Sequence, residues 1–165
     1  MERLDAKQLS AHTKNMLNIA SAQITSSAAA SAFFARWADM ATWPQWNSDT
    51  EWVRLDGPFA AGSTGVLKPK GGPKTKFVIA ELADDRFVDV SKLPGARMTF
   101  DHRVTETPDA GTGVTVTVTL TGPLSRLWNA ILGKGIKATL QQDLEGLKAA
   151  AEASRTTRST TGSLA

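Results

Sequence analysis

A chain of 165 residues with 41% hydrophobic and 21% charged residues has the composition of one ordinary globular domain, which argues against a disordered or fibrous protein. It contains no cysteine, which excludes disulfides and thiol catalysis and favours a cytoplasmic location, and no apolar run is long enough for a transmembrane segment. The net charge is +3, and two of the cations, Arg155 and Arg158, lie near the C-terminus, so the remainder is almost neutral. We therefore expect no nucleic-acid partner.

The N-terminal part of the chain is predicted to hold a loose arm, one strand and short helical structure. Residues 1–14 are polar and irregular, and residues 15–24 read as a first strand. Residues 28–38 are rich in Ala and follow Ser and Thr residues that can cap a helix. The connection after this helix contains Trp43 and Trp46, whose large rings predict either core packing or contact with a binding cavity.

From residue 50 onwards the apolar residues recur with a period of two, which is typical of strands. The connections between these strands are short and contain Gly, Pro and Asp, which predicts sequential antiparallel hairpins. The last strand is the clearest, because Val and Leu alternate in it with Thr. The six candidate strands are residues 50–55, 65–70, 74–82, 86–92, 96–106 and 114–120.

Residues 122–152 carry the longest helical pattern of the chain, followed at 154–165 by a Ser- and Thr-rich tail that we expect to be disordered. The apolar residues of this helix fall on two faces that are rotated relative to each other, with Gly133 and Gly135 between them. Since each Gly weakens a helix interior, we predict a bend or a break at 133–135. One apolar face comprises Leu124, Leu127, Trp128, Ile131 and Leu132, and the other Leu140, Leu144, Leu147 and Ala151.

This order of elements resembles the START/Bet v 1-like helix-grip superfamily, and in particular its bacterial polyketide cyclase/dehydrase-like (SRPBCC) proteins. The resemblance covers roughly residues 15–153, and it rests on the order and spacing of several short segments. These are Asp39, Trp43-Pro44 and Trp46, Leu55-Asp56-Gly57-Pro58, Gly62-Ser63-Thr64-Gly65, residues 77–82 with Arg86-Phe87, Leu93-Pro94-Gly95-Ala96, Gly122-Pro123-Leu124 and Leu147-Lys148.

The resemblance implies an α+β helix-grip fold, in which a curved antiparallel sheet of about seven strands wraps around a long C-terminal helix, with two short helices after the first strand. One domain would span residues 15–153, between the arm at 1–14 and the tail at 154–165. The family also implies an apolar cavity between sheet and helix. The residues expected to line it are Trp43, Trp46, Met98, Phe100, His102, Trp128, Leu132 and Ile136.

Three functions fit this fold, because one fold hosts many activities. The first is binding of an apolar small molecule or lipid in the cavity, without a cofactor. The second is a polyketide aromatase/cyclase or dehydratase acting in the same cavity, and the third is an interaction protein with a vestigial cavity. Aromatase/cyclases of the resembled family commonly use pocket tyrosines and arginines, and this chain has no tyrosine.

His102 is the one candidate catalytic residue, since the only other histidine, His12, lies in the N-terminal arm. Strand alternation places His102 on one face with Met98, Phe100 and Val104, and this apolar face should be the inner one. His102 would then be a titratable group in an apolar cavity, either as a proton donor or acceptor or as a hydrogen-bonded structural residue.

The hairpin after residue 67 carries a cluster of lysines. It is predicted either to be an ordinary solvated turn or to dock an acidic carrier protein or anionic lipid. No metal-ligand cluster and no nucleotide-binding glycine pattern is present in the sequence, so we predict no metal and no cofactor. The hairpin cluster comprises Lys68, Lys70, Lys74 and Lys76.

Overall fold

The computed structural model describes residues 16–161, with side chains described up to Ser154. The predicted N-terminal arm therefore lies outside the described residues. The described chain contains seven strands, two α-helices and one 3₁₀ helix. In chain order they are β1 (Leu17–Ser26), α1 (Ala30–Ala38), the 3₁₀ helix (Met40–Gln45), β2 (Thr50–Asp56), β3 (Thr64–Pro69), β4 (Thr75–Ala83), β5 (Arg86–Leu93), β6 (Ala96–Thr107), β7 (Gly111–Thr121) and α2 (Ser125–Thr161).

All seven strands form one antiparallel sheet in the order β1-β7-β6-β5-β4-β3-β2. Strands β2 to β7 pair with their neighbours in sequence, as the short turn-forming connections predicted. The register shifts at Asn18/Ala20, Thr50/Trp52 and Ile79/Glu81, and such irregularities increase the local twist of a strand. The predicted α+β helix-grip architecture, a curved sheet with a long C-terminal helix, is confirmed.

Helix α2 is uninterrupted from Ser125 to Thr161, so the predicted break at Gly133 and Gly135 is wrong. The helix also continues through residues 154–161, which the sequence had assigned to a disordered tail; residues 162–165 lie outside the described residues. Gly133 is buried, and a Cβ at this position would overlap the Oδ1 of Asn129, one turn earlier in α2, while meeting the Cγ2 of Ile19 at an ordinary contact distance of 3.5 Å. The missing side chain at Gly133 therefore leaves room for Asn129, and it does not interrupt the helix.

The predicted apolar face at the start of α2 is wrong for three of its five residues, since only Trp128 and Leu132 are partly buried. Leu124, Leu127 and Ile131 are exposed, whereas Ser125 and Gly133 are buried. The side of the helix that faces the sheet in this region carries Ser125, Trp128, Gly133 and Ile136. The second predicted face does pack inward, since Leu144, Leu147 and Ala151 are all buried.

The core between sheet and helices consists of two apolar clusters that meet at Phe100 and Leu140. The larger cluster joins α1, the 3₁₀ helix and the C-terminal part of α2 to the sheet, with Phe33 and Trp37 fully enclosed. The smaller cluster joins the first half of α2 to β1, β6 and β7. No helix among residues 16–161 is both long and apolar enough to cross a membrane.

Candidate functional site

Strands β5 and β6 place three polar side chains on the inner face of the sheet. The hairpin between them pairs Phe87 with His102, Asp89 with Phe100 and Ser91 with Met98. Paired residues of antiparallel strands point to the same face, so Asp89, Ser91 and His102 share one face. This is the helix-facing side, because Met98 and Phe100 pack in the cluster that contains Ile136 and Leu140 of α2.

His102 is enclosed by aromatic rings. Its imidazole stacks on Phe87 with ring centroids 4.7 Å apart and lies 5.1 Å from the ring of Trp37. Its Nδ1 is 3.0 Å from the carbonyl oxygen of Phe87. Because a carbonyl oxygen only accepts hydrogen bonds, Nδ1 carries the proton, and Nε2 of the neutral ring is then an acceptor. Nε2 has no hydrogen-bond partner among the described side chains and backbone groups.

Burial changes the protonation of both titratable groups at this site. It raises the pKa of the Asp89 carboxyl to about 7, because the charged form loses hydration. It lowers the pKa of His102 to about 4 for the same reason, and the hydrogen bond to Phe87 opposes this only in part. At neutral pH His102 is therefore uncharged. The separation of 3.9 Å between its Nδ1 and Oδ1 of Asp89 is too long for a hydrogen bond and is not an ion pair.

An apolar wall adjoins these polar groups. Met98, Phe100, Trp128 and Ile136 belong to one cluster and are all partly exposed, although they lie on the facing sides of sheet and helix. Leu132, also partly exposed, lies one turn before Ile136 on α2. Five of the eight predicted cavity residues thus lie along the first half of α2 and the part of β6 opposite it, with His102 two residues further along β6.

Trp43 and Trp46 are not part of this group. Trp43 is buried in the larger core cluster, and its Nε1 donates a hydrogen bond to the carbonyl oxygen of Trp37 at 3.2 Å. Trp46 packs on Trp43 and lines a separate surface pocket of about 640 Å³ between the 3₁₀ helix and α2. The indole N–H of Trp46 is buried without a hydrogen-bond partner among the described residues.

The four lysines of the β3–β4 hairpin are not equivalent. Lys68 is only partly exposed, lies 3.3 Å from Glu51 and donates to the carbonyl oxygen of Pro69. Lys74 lies over the ring of Trp52, 5.5 Å from its centroid. Lys70 and Lys76 are exposed and form no ion pair within the described part of the chain. Two of the four predicted docking cations are therefore already engaged by this chain.

The sequence profile of the family described as "Polyketide cyclase / dehydrase and lipid transport" matches residues 19–152. The chain belongs to this family. No curated protein sequence matches the chain.

Solved structures of the same fold accompany the family match. The di-domain ARO/CYC StfQ from the steffimycin biosynthetic pathway superposes with a TM-score of 0.70 at 16% identity over 92% of this chain, which spans about half (55%) of StfQ. A START superfamily protein from Mycobacterium smegmatis superposes with a TM-score of 0.62 at 14% identity, and the match covers 84% of this chain and 97% of that protein. Ara h 8.0201 superposes with a TM-score of 0.66 at 11% identity, and the match covers 84% of this chain and 99% of Ara h 8.0201. At these identities the likeness shows the fold.

Asp89 and Ser91 were missed by the sequence analysis of this family member. Both faces of β5 are buried, since Val88 is as enclosed as Asp89, so alternation within β5 gives no inner face. The usable signal was the tight turn at Pro94-Gly95, which fixes the register with β6 and places Asp89 and Ser91 on the face of His102. The described residues contain no group of three or more side chains suited to holding a metal ion.

Proposed function

We propose that the chain binds an apolar small molecule, a lipid or a polyketide-like chain, between the inner face of the sheet and α2. The observation that carries this proposal is the set of Asp89, Ser91 and His102 beside the partly exposed apolar side chains of Met98 and Phe100. Ligand sites combine an apolar lining with a few converging polar groups in this way. Membership of a family described by polyketide cyclases and lipid transport supports the same conclusion.

The three polar groups offer complementary hydrogen bonds to one end of such a ligand. Nε2 of His102 accepts a hydrogen bond, and the Ser91 hydroxyl both donates and accepts. The Asp89 carboxyl, whose pKa is about 7, is protonated in a large fraction of molecules at neutral pH and then donates. A ligand with a hydroxyl or carbonyl at one end of an apolar body satisfies these groups, and its body lies along Met98, Phe100 and Ile136. No charge on the ligand is needed.

The proposal is tested by filling the space beside Met98. In Met98→Trp the larger ring occupies the region in front of Ser91, so we expect the affinity for a neutral naphthylamine fluorophore to fall by tenfold or more. Thr99→Trp is the matched control, because it introduces the same ring one residue along β6, on the opposite face of the sheet. Fluorescence titration measures both affinities, and circular dichroism checks that both variants are folded.

Equal affinities for the two folded variants would show that the fluorophore binds elsewhere. If the unmodified protein binds neither the fluorophore nor any of a panel of fatty acids and aromatic polyketides, the site is vestigial. The third hypothesis, an interaction protein of this fold, would then replace the proposal.

A polyketide aromatase/cyclase or dehydratase is the second candidate, and the pair of titratable groups favours it. An acid–base catalyst works best when its pKa is near the operating pH. Asp89 meets this condition with a pKa of about 7, whereas the neutral His102, with a pKa of about 4, is suited to orienting a substrate oxygen. Mass spectrometry of a bound poly-β-ketone separates the candidates, since cyclisation with dehydration removes one water and simple binding returns the ligand unchanged.

The proposal also covers the cellular compartment and an acidic protein partner. A chain without cysteine suits a reducing compartment, so we place the protein in the cytoplasm. Docking of an acidic carrier protein at the β3–β4 hairpin would depend on Lys70 and Lys76, since Lys68 and Lys74 already have partners.

A further inference from the structure

The largest exposed apolar side chains form a line on the outer side of α2. Leu124, Leu127 and Ile131 are 42%, 52% and 58% exposed, and they recur at three- and four-residue steps on one face. Met16, at the start of β1, is 51% exposed. Single exposed apolar residues need no explanation, but a continuous row marks a surface that contacts something other than water.

This row lies at an end of the molecule that is rich in cations. Arg126, Lys134 and Lys137 project from the same part of α2, and Lys92 and Arg97 from the β5–β6 hairpin; all five are exposed. Neither residues 90–100 nor residues 110–142 contain an acidic side chain. None of the five cations forms an ion pair with the residues that the structure describes.

The hairpin and the start of α2 form one continuous surface. The N–H of Leu124 donates to the carbonyl oxygen of Gly95 at 3.0 Å, and the indole of Trp128 donates to that of Pro94 at 2.8 Å. A hollow of about 460 Å³ between them is lined by Lys92 and Arg97 together with backbone around Gly122. We call this surface, made of residues 92–97 and 122–137, the basic–apolar end.

We propose that the basic–apolar end docks on an anionic lipid bilayer. Leu124, Leu127 and Ile131 would enter the interfacial region of the bilayer, while the surrounding cations contact lipid phosphates. A second copy of the chain fits this surface less well. A two-fold interface would bring the same five cations of each copy together, with only Leu124, Leu127 and Ile131 to offset their repulsion.

Docking would place the bilayer at the ends of the strands that carry the proposed ligand site. Ser91 lies next to Lys92 on β5, and Met98 lies next to Arg97 on β6. An apolar ligand leaving the bilayer would thus meet the site within a short distance. The docking proposal does not depend on ligand binding, because the three exposed apolar residues and five exposed cations that carry it are not among the residues of the ligand site.

The test is sedimentation of the full-length protein with vesicles of phosphatidylcholine, with and without phosphatidylserine. We expect binding only when phosphatidylserine is present, and weaker binding as salt increases. Lys134→Gln combined with Lys137→Gln should lower the partition coefficient about 25-fold, because each cation near an anionic surface contributes roughly fivefold. Leu127→Ser combined with Ile131→Ser should lower it about tenfold or more.

The matched control for the charge change is Lys70→Gln combined with Lys76→Gln, which removes the same charge from exposed positions on the β3–β4 hairpin. This control should keep most of the wild-type binding. Equal losses in the two lysine pairs would overturn the proposal, as would failure of the wild-type protein to bind phosphatidylserine vesicles. A dimer in solution that Leu127→Ser with Ile131→Ser converts to monomer, without vesicle binding, would assign this surface to a second copy of the chain instead.

Discussion

Asp89 and His102 lose hydration on the same inner face of the sheet, and this gives them opposite effects on stability as pH changes. The pKa of Asp89 is about 7 in the folded chain against 3.8 for an exposed aspartate. Between these values the folded state keeps the proton and the unfolded state releases it, so the free energy of unfolding falls as pH rises. The pKa of His102 is about 4 against 6.5. In that interval only the unfolded state holds the proton, so the free energy of unfolding rises with pH.

The two effects oppose each other between about pH 4 and pH 6.5, and single substitutions should separate them. Asp89→Asn removes the contribution to the free energy of unfolding that falls as pH rises. The stability of this variant relative to wild type should therefore increase with pH from about 4 to 7. His102→Gln removes the contribution to the free energy of unfolding that rises with pH. The stability of this variant relative to wild type should therefore decrease from about pH 4 to 6.5. Each relative slope should reach about 1 kcal/mol per pH unit.

Urea unfolding at a series of pH values measures these slopes, and the comparison with wild type removes the contributions of other groups. One of these is Asp143, where burial and the neighbouring Asp49 raise the pKa to about 6. Stability curves of both variants that run parallel to the wild-type curve would show that Asp89 and His102 are hydrated in the folded protein.

Among the secondary-structure elements, α2 contains three glycines, and two of them, Gly135 and Gly146, lie in opposite environments. A Cβ at Gly146 would overlap the backbone carbonyl oxygen of Trp46, so this glycine sets how closely α2 packs on the segment after the 3₁₀ helix. At Gly135 nothing lies within 4 Å of an added Cβ. Both positions are inside one continuous helix, where alanine is favoured over glycine by about 1 kcal/mol.

Replacing glycine by alanine should therefore change the free energy of unfolding in opposite directions at Gly135 and Gly146. Gly135→Ala should raise the free energy of unfolding by up to about 1 kcal/mol, because helix propensity alone acts. Gly146→Ala should lower it by about 1–3 kcal/mol, since the overlap forces α2 away from Trp46. Thermal and urea unfolding of the two variants provide the measurement. A stabilised Gly146→Ala would mean that α2 does not lie against Trp46 as the structure has it.

The same helix shows why its faces were predicted wrongly from the sequence. Hydrophobic periodicity assigned Leu124, Leu127 and Ile131 to the buried side, because leucine and isoleucine are usually buried. The structure instead turns Trp128 and Ile136 towards the sheet, on the side of α2 that also buries Ser125 and Gly133. Periodicity succeeded from Leu140 onwards, where α2 meets a thicker part of the core and large apolar residues fill the space.

At the scale of the whole molecule, the antiparallel sheet and long helix could be predicted, whereas the polar part of the site could be predicted only for His102. Short turn-forming connections determine that strands β2 to β7 pair in sequence, and alternation in β7 marks its buried face. Asp89 and Ser91 are polar residues in a strand that is buried on both faces, so nothing in β5 itself marks them as inward-facing. Only the pairing of β5 with β6 shows that Asp89 and Ser91 face inward, and this pairing forms in the assembled sheet.

If an apolar ligand places its polar group against His102, nuclear magnetic resonance of the imidazole nitrogens detects the contact. The chain has two histidines, so His12→Gln assigns both sets of signals. Titration with the neutral naphthylamine, whose N–H can donate to Nε2, should shift the Nε2 signal of His102 saturably and leave that of His12 unchanged. An unchanged His102 signal at concentrations where fluorescence shows full binding would show that the ligand binds away from His102.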